Sequence, residues 1–486
     1  MKYVSTRGSA PELGFADALL AGLALDGGLY LPEFWPALPA LEQLRGRSYS
    51  EIAVEVMWPF VQGDIPRDVF ESIVHDSYAG FAAEQVCPLV PLGTTAAGAD
   101  LFLLELFHGP TLAFKDVALQ LVGRLFDYVL TQRDERICIL GATSGDTGSA
   151  AIDAVRDRAR IDICILFPEG RVSDVQRRQM TTVAASNVHA VAVEGTFDDC
   201  QDLVKAAFGD TTFRDEVHLG AVNSINWARV MAQIVYYVVA YLEATDSSEA
   251  GDESLGARGV AEAGEVTFCV PTGNFGNILA GWAAKQMGLP IDRLVVASNR
   301  NDILTRFFTT GQMEIQGVVP TSSPSMDIQV SSNLERLLFE VLDRDGQAVA
   351  AFMAAFRADG SVSVPAEILD KLRAEFDAGS VDDESAAATI QSVHQRTALV
   401  LDPHSAVAVA LAEQLGGEES VPVVALATAH PAKFPDAVEA ALGFRPELPA
   451  HLTDLFDRVE RIEHVQNTLE AVEALVRSQL TSSQHP

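Results

Sequence analysis

The rhythm of apolar positions changes near residue 98. Before it, SYSEIAVEVMWPF and PRDVFESIVHDSY place apolar residues at three-to-four spacing, which predicts amphipathic helices. GFADALLAGLALDGGLYLPE predicts a helix, a Gly-Gly turn and an extended exit. After it, short apolar runs alternate with helical patterns. DLFLLELF, ERICILGAT, IDICILFPEG, NVHAVAVEG, EVTFCVPTG, IDRLVVASN and VPVVALATAH read as strands. DVALQLVGRLFDYVLTQR, GDTGSAAIDAVRDRAR, VSDVQRRQMTTV and FDDCQDLVKAAFGD read as helices between them. Strands that are apolar throughout are those buried on both faces. The pattern therefore predicts an α/β fold with parallel sheets covered by helices.

Composition adds limits. A chain of 486 residues, 48% of them apolar, has material for two or three domains. The net charge of −33 repels nucleic acid and anionic membranes, and no basic stripe interrupts it. Five scattered cysteines without a CxxC pair are expected as buried free thiols. The first residues, MKYVSTRGSAPELGF, lack the apolar core of a secretory signal, and no run reaches the ~18 apolar residues of a membrane span. A soluble, cytoplasmic protein is expected. The acidic, small-residue stretch 244–265 breaks the α/β rhythm and is expected to be a mobile surface insertion; the final SQLTSSQHP is expected to fray.

Three features could carry chemistry. GATSGDTGSAA (141–151) and PTGNFGNILAG (271–281) each follow a strand and open a helix. Such loops point backbone N–H groups and the helix dipole at an anion, although tight turns alone also call for glycine. Neither loop has the G-x-G-x-x-G spacing of a dinucleotide fingerprint, and no P-loop occurs. The third feature is Lys115, between Leu-Ala-Phe and an apolar helix. Taken alone it is either a snorkelling surface lysine beside Asp116 or a desolvated amine available as a nucleophile. Two anion-holding loops and an imine-forming lysine are what a phosphorylated aldehyde cofactor requires.

The ordered set FHGPTLAFKD, GATSGDTGSAA, NSINWARVMAQIVYY, PTGNFGNILAG and ATAHPAKFP resembles threonine synthase, as do YVSTRG and DGGLYLPE near the start. The likeness runs to about residue 443 and omits the 244–265 insertion. It implies pyridoxal 5′-phosphate as cofactor, carried by Lys115 as a Schiff base. Gly273, Asn274, Phe275, Gly276 and Asn277 match the loop that binds the cofactor phosphate. Thr428 matches the hydroxyl residue facing the pyridine nitrogen. Asp146 stands where related enzymes carry an Asn against the ring's 3′-oxygen, and a carboxylate there calls for a neighbouring cation or proton. Thr143, Ser144, Gly145, Thr147 and Gly148 match the loop that receives the substrate carboxylate. Arg229 and Lys433, beside cofactor loops, are candidate cations for the substrate's own phosphate; for Arg229 the alternative is pairing with a carboxylate. His108 and His430 read as structural rather than catalytic.

The resemblance further implies the tryptophan-synthase-β-like fold of PLP enzymes (fold type II), with two α/β domains and the cofactor in the cleft. The expected division is an N-terminal, mainly helical accessory domain (1–97), a large domain (98–140 and 225–486) and a small domain (141–224) closing on substrate. The implied activity is a carbon–oxygen lyase: O-phospho-L-homoserine and water become L-threonine and phosphate. The alternative is a phospho-lyase or hydroxy-amino-acid deaminase of the same fold. No metal site is expected, and the chain is expected to be a monomer or homodimer.

Overall fold

The computed structural model describes residues 1–246, 264–415 and 421–483; most of the expected 244–265 insertion lies outside the described residues. Two sheets organise the chain. The first has six strands in the order Phe376–Ser380, Ile291–Ser298, Val266–Pro271, Val423–Ala427, Asp100–Glu105, Leu89–Thr94. All its neighbours run parallel except the last pair, which is antiparallel. The second has five parallel strands in the order Glu463–Val465, Val188–Val193, Ile161–Pro168, Ile137–Ala142, Leu219–Gly220. The fully apolar runs are the buried strands: every residue of Ile161–Pro168 and Val266–Pro271 is buried.

The helix Trp227–Ala244 ties the layers together. It is buried at every position from Trp227 to Leu242, nearly all of them apolar or aromatic, and so belongs in the interior rather than on a face. It packs against Tyr49–Val61, Lys115–Arg133 and Gly276–Gln286. One continuous apolar core runs from Tyr3 and Phe15 through these helices to Phe376 and Leu426. The N-terminal region therefore shares the large core rather than forming its own. A half-buried Arg7–Glu335 ion pair (3.0 Å) and the buried Arg336, which donates to the carbonyls of Tyr30 and Ile225, fasten it there. All five cysteines are buried and free.

The structure moves three expected boundaries. Ile137–Ala142 hydrogen-bonds to Ile161–Pro168, so it belongs to the second sheet and not to the large domain. Leu89–Thr94 pairs with Asp100–Glu105 and so leaves the accessory region for the first sheet. The C-terminal end also belongs to the second sheet: Glu463–Val465 adds an edge strand, and Val472 and Val476 of the helix Leu469–Ser483 pack on that sheet's core. The helix continues to Ser483, where fraying was expected from residue 478. A strand is assigned by the ladder it joins. The triplet Glu463–Val465 offers only Val465 as an apolar residue, too little to announce that ladder.

Candidate active site

The candidate residues collect at the carboxyl ends of the strands, where open α/β sheets hold ligands. Val266–Pro271 leads into Gly273–Asn277, Val423–Ala427 into Thr428, and Ile137–Ala142 into Thr143–Gly148. Lys115 begins the helix Lys115–Arg133. Its segment is pinned to the Thr428 strand end, because the Phe114 amide donates to the Thr428 carbonyl at 2.9 Å.

Lys115 is 8% exposed, and its Nζ lies 3.1 Å from Asp146 Oδ2. The surface-lysine alternative is thereby excluded. Burial pulls its amine below the ordinary lysine range; Asp146 opposes that shift, while Lys433 and Arg229 add to it. Burial would raise Asp146, but the ammonium groups of Lys115 and Lys433 outweigh it and hold the carboxyl well below the usual range. The cation that a carboxylate at this position calls for is Lys433. It is wholly buried, 3.0 Å from Asp146 Oδ1 and 2.7 Å from the Thr111 carbonyl.

Arg229 stands in contrast. It is 3% exposed, yet its Nε and Nη1 find no hydrogen-bond partner among the described residues. Burial draws it down to about 10, so it remains charged at neutral pH. Among the described residues no carboxylate pairs with it, which speaks against the alternative left open by the sequence. A buried guanidinium without a counter-ion is costly, and an anionic ligand is what would offset the cost.

The two glycine loops differ in their donors. Helix Gly276–Gln286 opens from Phe275 in the left-handed region (φ 63°), with no side chain capping its amides. Asn277 Nδ2 is buried and unpaired, while its Oδ1 accepts from Tyr236 and Tyr237. Gly273 is required: a Cβ there would lie 2.7 Å from the Ser325 carbonyl. In the other loop, Thr143 Oγ1 takes the amides of Gly145 and Gly148, both at 2.9 Å. Those two amides are therefore engaged within the loop itself. Gly145 has φ 135°, and Gln176 fills the space a side chain would need.

These features fit pyridoxal phosphate: a buried amine, an uncapped helix start and an unpaired amide. Thr428 fits as well, since its amide donates to Ser405 Oγ and its hydroxyl is unengaged among the described residues. His108 pairs with Glu105 at 2.8 Å, and His430 accepts from the Ala432 amide at 3.1 Å. No metal-binding cluster occurs among the described residues.

Several site residues carry no sequence signal. Gln176 Nε2 donates to Asp146 at 2.8 Å, and Gln179 Nε2 to the Thr111 carbonyl at 3.1 Å. Ser325 Oγ donates to Asp146 at 3.2 Å. Asp116, beside Lys115, accepts from the Thr111 amide and hydroxyl, and burial pushes it up to about 7. Its place next to an apolar run was the only available hint.

Comparison with known proteins decides the family. Residues 2–78 match the family described as threonine synthase N terminus, 81–358 the pyridoxal-phosphate dependent enzymes, and 405–476 the threonine synthase C-terminal family. Threonine synthase from Pseudomonas aeruginosa is 51% identical over 482 residues, 98% of each chain. The chain belongs to the threonine synthase family. The crystal structure of PLP-bound threonine synthase from Brucella melitensis is 53% identical, with a TM-score of 0.91 over 99% of both chains. Threonine synthase from yeast superposes equally well, with a TM-score of 0.91 at 39% identity over 99% of both chains. As a threonine synthase family member the chain is a pyridoxal-phosphate-dependent lyase of threonine biosynthesis, with fold type II architecture and a small-molecule substrate. Among the described residues no helix is long and apolar enough to cross a membrane.

Proposed function

We propose that the conversion of O-phospho-L-homoserine and water to L-threonine and phosphate takes place around Lys115. The observation that carries this reading is a buried amine of lowered basicity within electrostatic reach of a buried, unpaired guanidinium. Lys115 Nζ would hold the cofactor, the amides of Gly273–Asn277 and the Asn277 side chain would hold its phosphate, and the Thr428 hydroxyl would lie against its ring. When bound, pyridoxal phosphate supplies an electron sink for negative charge developing on the substrate's α- and β-carbons.

The protein's own groups do the rest. Once the substrate's amine has displaced it, Lys115 is a free amine that burial keeps neutral. It takes the proton from Cα, moves protons at Cβ and Cγ as phosphate leaves Cγ and water adds at Cβ, and returns a proton to Cα. Asp146 stays ionised because Lys433 remains 3.0 Å away whatever happens at Lys115. That fixed pair would keep the carboxylate's charge balanced beside a bound cofactor. Ser144 and Thr147 receive the substrate carboxylate, and Arg229 receives its phosphate. Lys433, expected as a second phosphate-binding cation, is already neutralised by Asp146, so Arg229 carries that role by itself. Helix Asp174–Thr181 of the second sheet, through Gln176 and Gln179, closes on the same cluster and excludes water until it is needed. The site works in the cytoplasm, and neither nucleic acid nor a membrane takes part.

Product analysis with phosphohomoserine tests this reading. Threonine and phosphate in equal amounts are expected, with activity lost in Lys115→Ala. 2-Oxobutyrate as the sole organic product would replace the reading with a lyase that never adds water.

A further inference from the structure

Asp402 and His404 are buried, and none of the roles above uses them. Asp402 caps the helix Pro403–Gln414 by accepting from the amides of His404 and Ser405. It also lies 2.8 Å from His404 Nδ1 and accepts from the Ser405 hydroxyl. A cap explains this much. It does not explain the other side of the ring, where His404 Nε2 lies 3.2 Å from the amide of Ser325, 79 positions away in sequence. A backbone N–H can only donate, so Nε2 is the unprotonated nitrogen. Nδ1 then carries the proton and donates to Asp402. One neutral tautomer satisfies both contacts, and Phe434 packs against the ring with centroids 4.7 Å apart.

What the ring holds is the short turn Pro324–Met326. The turn's carbonyl at Ser325 is the group that requires glycine at 273, and its hydroxyl reaches Asp146. Its far end is tied by Asp327, which accepts from the amide and hydroxyl of Thr321 and from Asn299 and Asn301. Asp402 reaches the opposite end of the site as well, because Ser405 Oγ accepts from the Thr428 amide at 3.1 Å.

We propose that His404 is a positioning residue whose Asp402-fixed tautomer sets the height of the Ser325 turn over the cofactor pocket, and thereby cofactor affinity. The inference rests on the reading that Gly273–Asn277 and Thr428 hold the cofactor. Two substitutions separate it from plain capping. His404→Gln places an acceptor where Nε2 stands, whereas His404→Asn keeps a donor for Asp402 and offers Ser325 nothing. Titration of the apoenzyme with pyridoxal phosphate, followed by its absorbance, should show affinity about tenfold weaker in His404→Asn, the worth of one hydrogen bond, and within about threefold of the parent in His404→Gln. Hydrogen exchange at the Ser325 and Met326 amides should quicken only in His404→Asn. Equal affinities in the two variants would overturn the proposal. The ¹⁵N shifts of His404 in the unsubstituted protein give a check independent of variant folding: a proton on Nδ1 supports it, and a proton on Nε2 overturns it. Borohydride labelling of Lys115 in the same preparations keeps the readings apart. Labelled Lys115 with equal affinities sinks this inference alone, and unlabelled Lys115 sinks the site reading.

Discussion

Two loops that look alike as sequence, 143–148 and 273–277, use their backbone amides differently. In the second, the helix start is uncapped and the amide of Asn277 is unpaired, so donors stand ready for an anion. In the first, the Thr143 hydroxyl consumes two amides, and the loop carries its own buried anion, Asp146, between the Lys115 and Lys433 side chains. Glycines at a strand–helix junction mark a place where backbone comes close. Whether an outside anion or an inside hydroxyl fills it depends on donors that only the fold reveals. The same contrast holds for the two buried cations: among the described residues Lys433 has its counter-ion and Arg229 has none.

Substitutions can break or sharpen that contrast. The largest effect is expected at Lys115, whose amine pairs with Asp146 of the first loop: Lys115→Ala should lower kcat/KM by at least about 10³-fold, because cofactor attachment and proton transfer are lost together. Arg229→Gln should lower kcat/KM for the phosphorylated substrate by about 10²-fold, the worth of a charged hydrogen-bonded contact. In chemical denaturation of the apoenzyme the same change should raise stability, since it removes an unpaired buried charge. Lys433→Met should instead destabilise by about 3 kcal/mol, because it takes a partner from a buried carboxylate. Equal stability changes in the two variants would erase the distinction between the cations.

Smaller effects separate the loops themselves. Thr143→Val leaves the Gly145 and Gly148 amides unsatisfied and should cost about 2 kcal/mol, read in the apoenzyme. The second sheet's contacts with Lys433 should also depend on acid. Burial holds His430, which caps the turn Pro431–Lys433, down to about 4 from an ordinary 6.5. A depressed histidine contributes stability that is complete above its unfolded value. That contribution is lost as pH falls from about 6.5 to about 4. His430→Asn keeps an acceptor for the Ala432 amide and removes the titration. Its stability should therefore fall less steeply over that range.

Much of this was legible in the sequence. The apolar strands, the loops that end them and Lys115 beside Leu-Ala-Phe all follow from local pattern, and the ordered motifs resemble one family. What the pattern could not carry lies in contacts between distant segments. Gln176 and Ser325 reach Asp146 from positions 30 and 179 residues away, and His404 reaches Ser325 across 79. The edge strand Glu463–Val465 is three residues long with only Val465 apolar, too little to announce that the C-terminus returns to the second sheet. Arg229 was visible as a residue. Its lack of a counter-ion among the described residues, which gives it meaning, is a property of the packed interior.

The central claim is that Lys115, and not the equally buried Lys433, carries the cofactor. Reduction of the cofactor-loaded protein with borohydride, followed by peptide mapping, tests it most directly. The account predicts one pyridoxyl label, on Lys115, that disappears in Lys115→Ala. A label on Lys433, or none on either lysine, would contradict it.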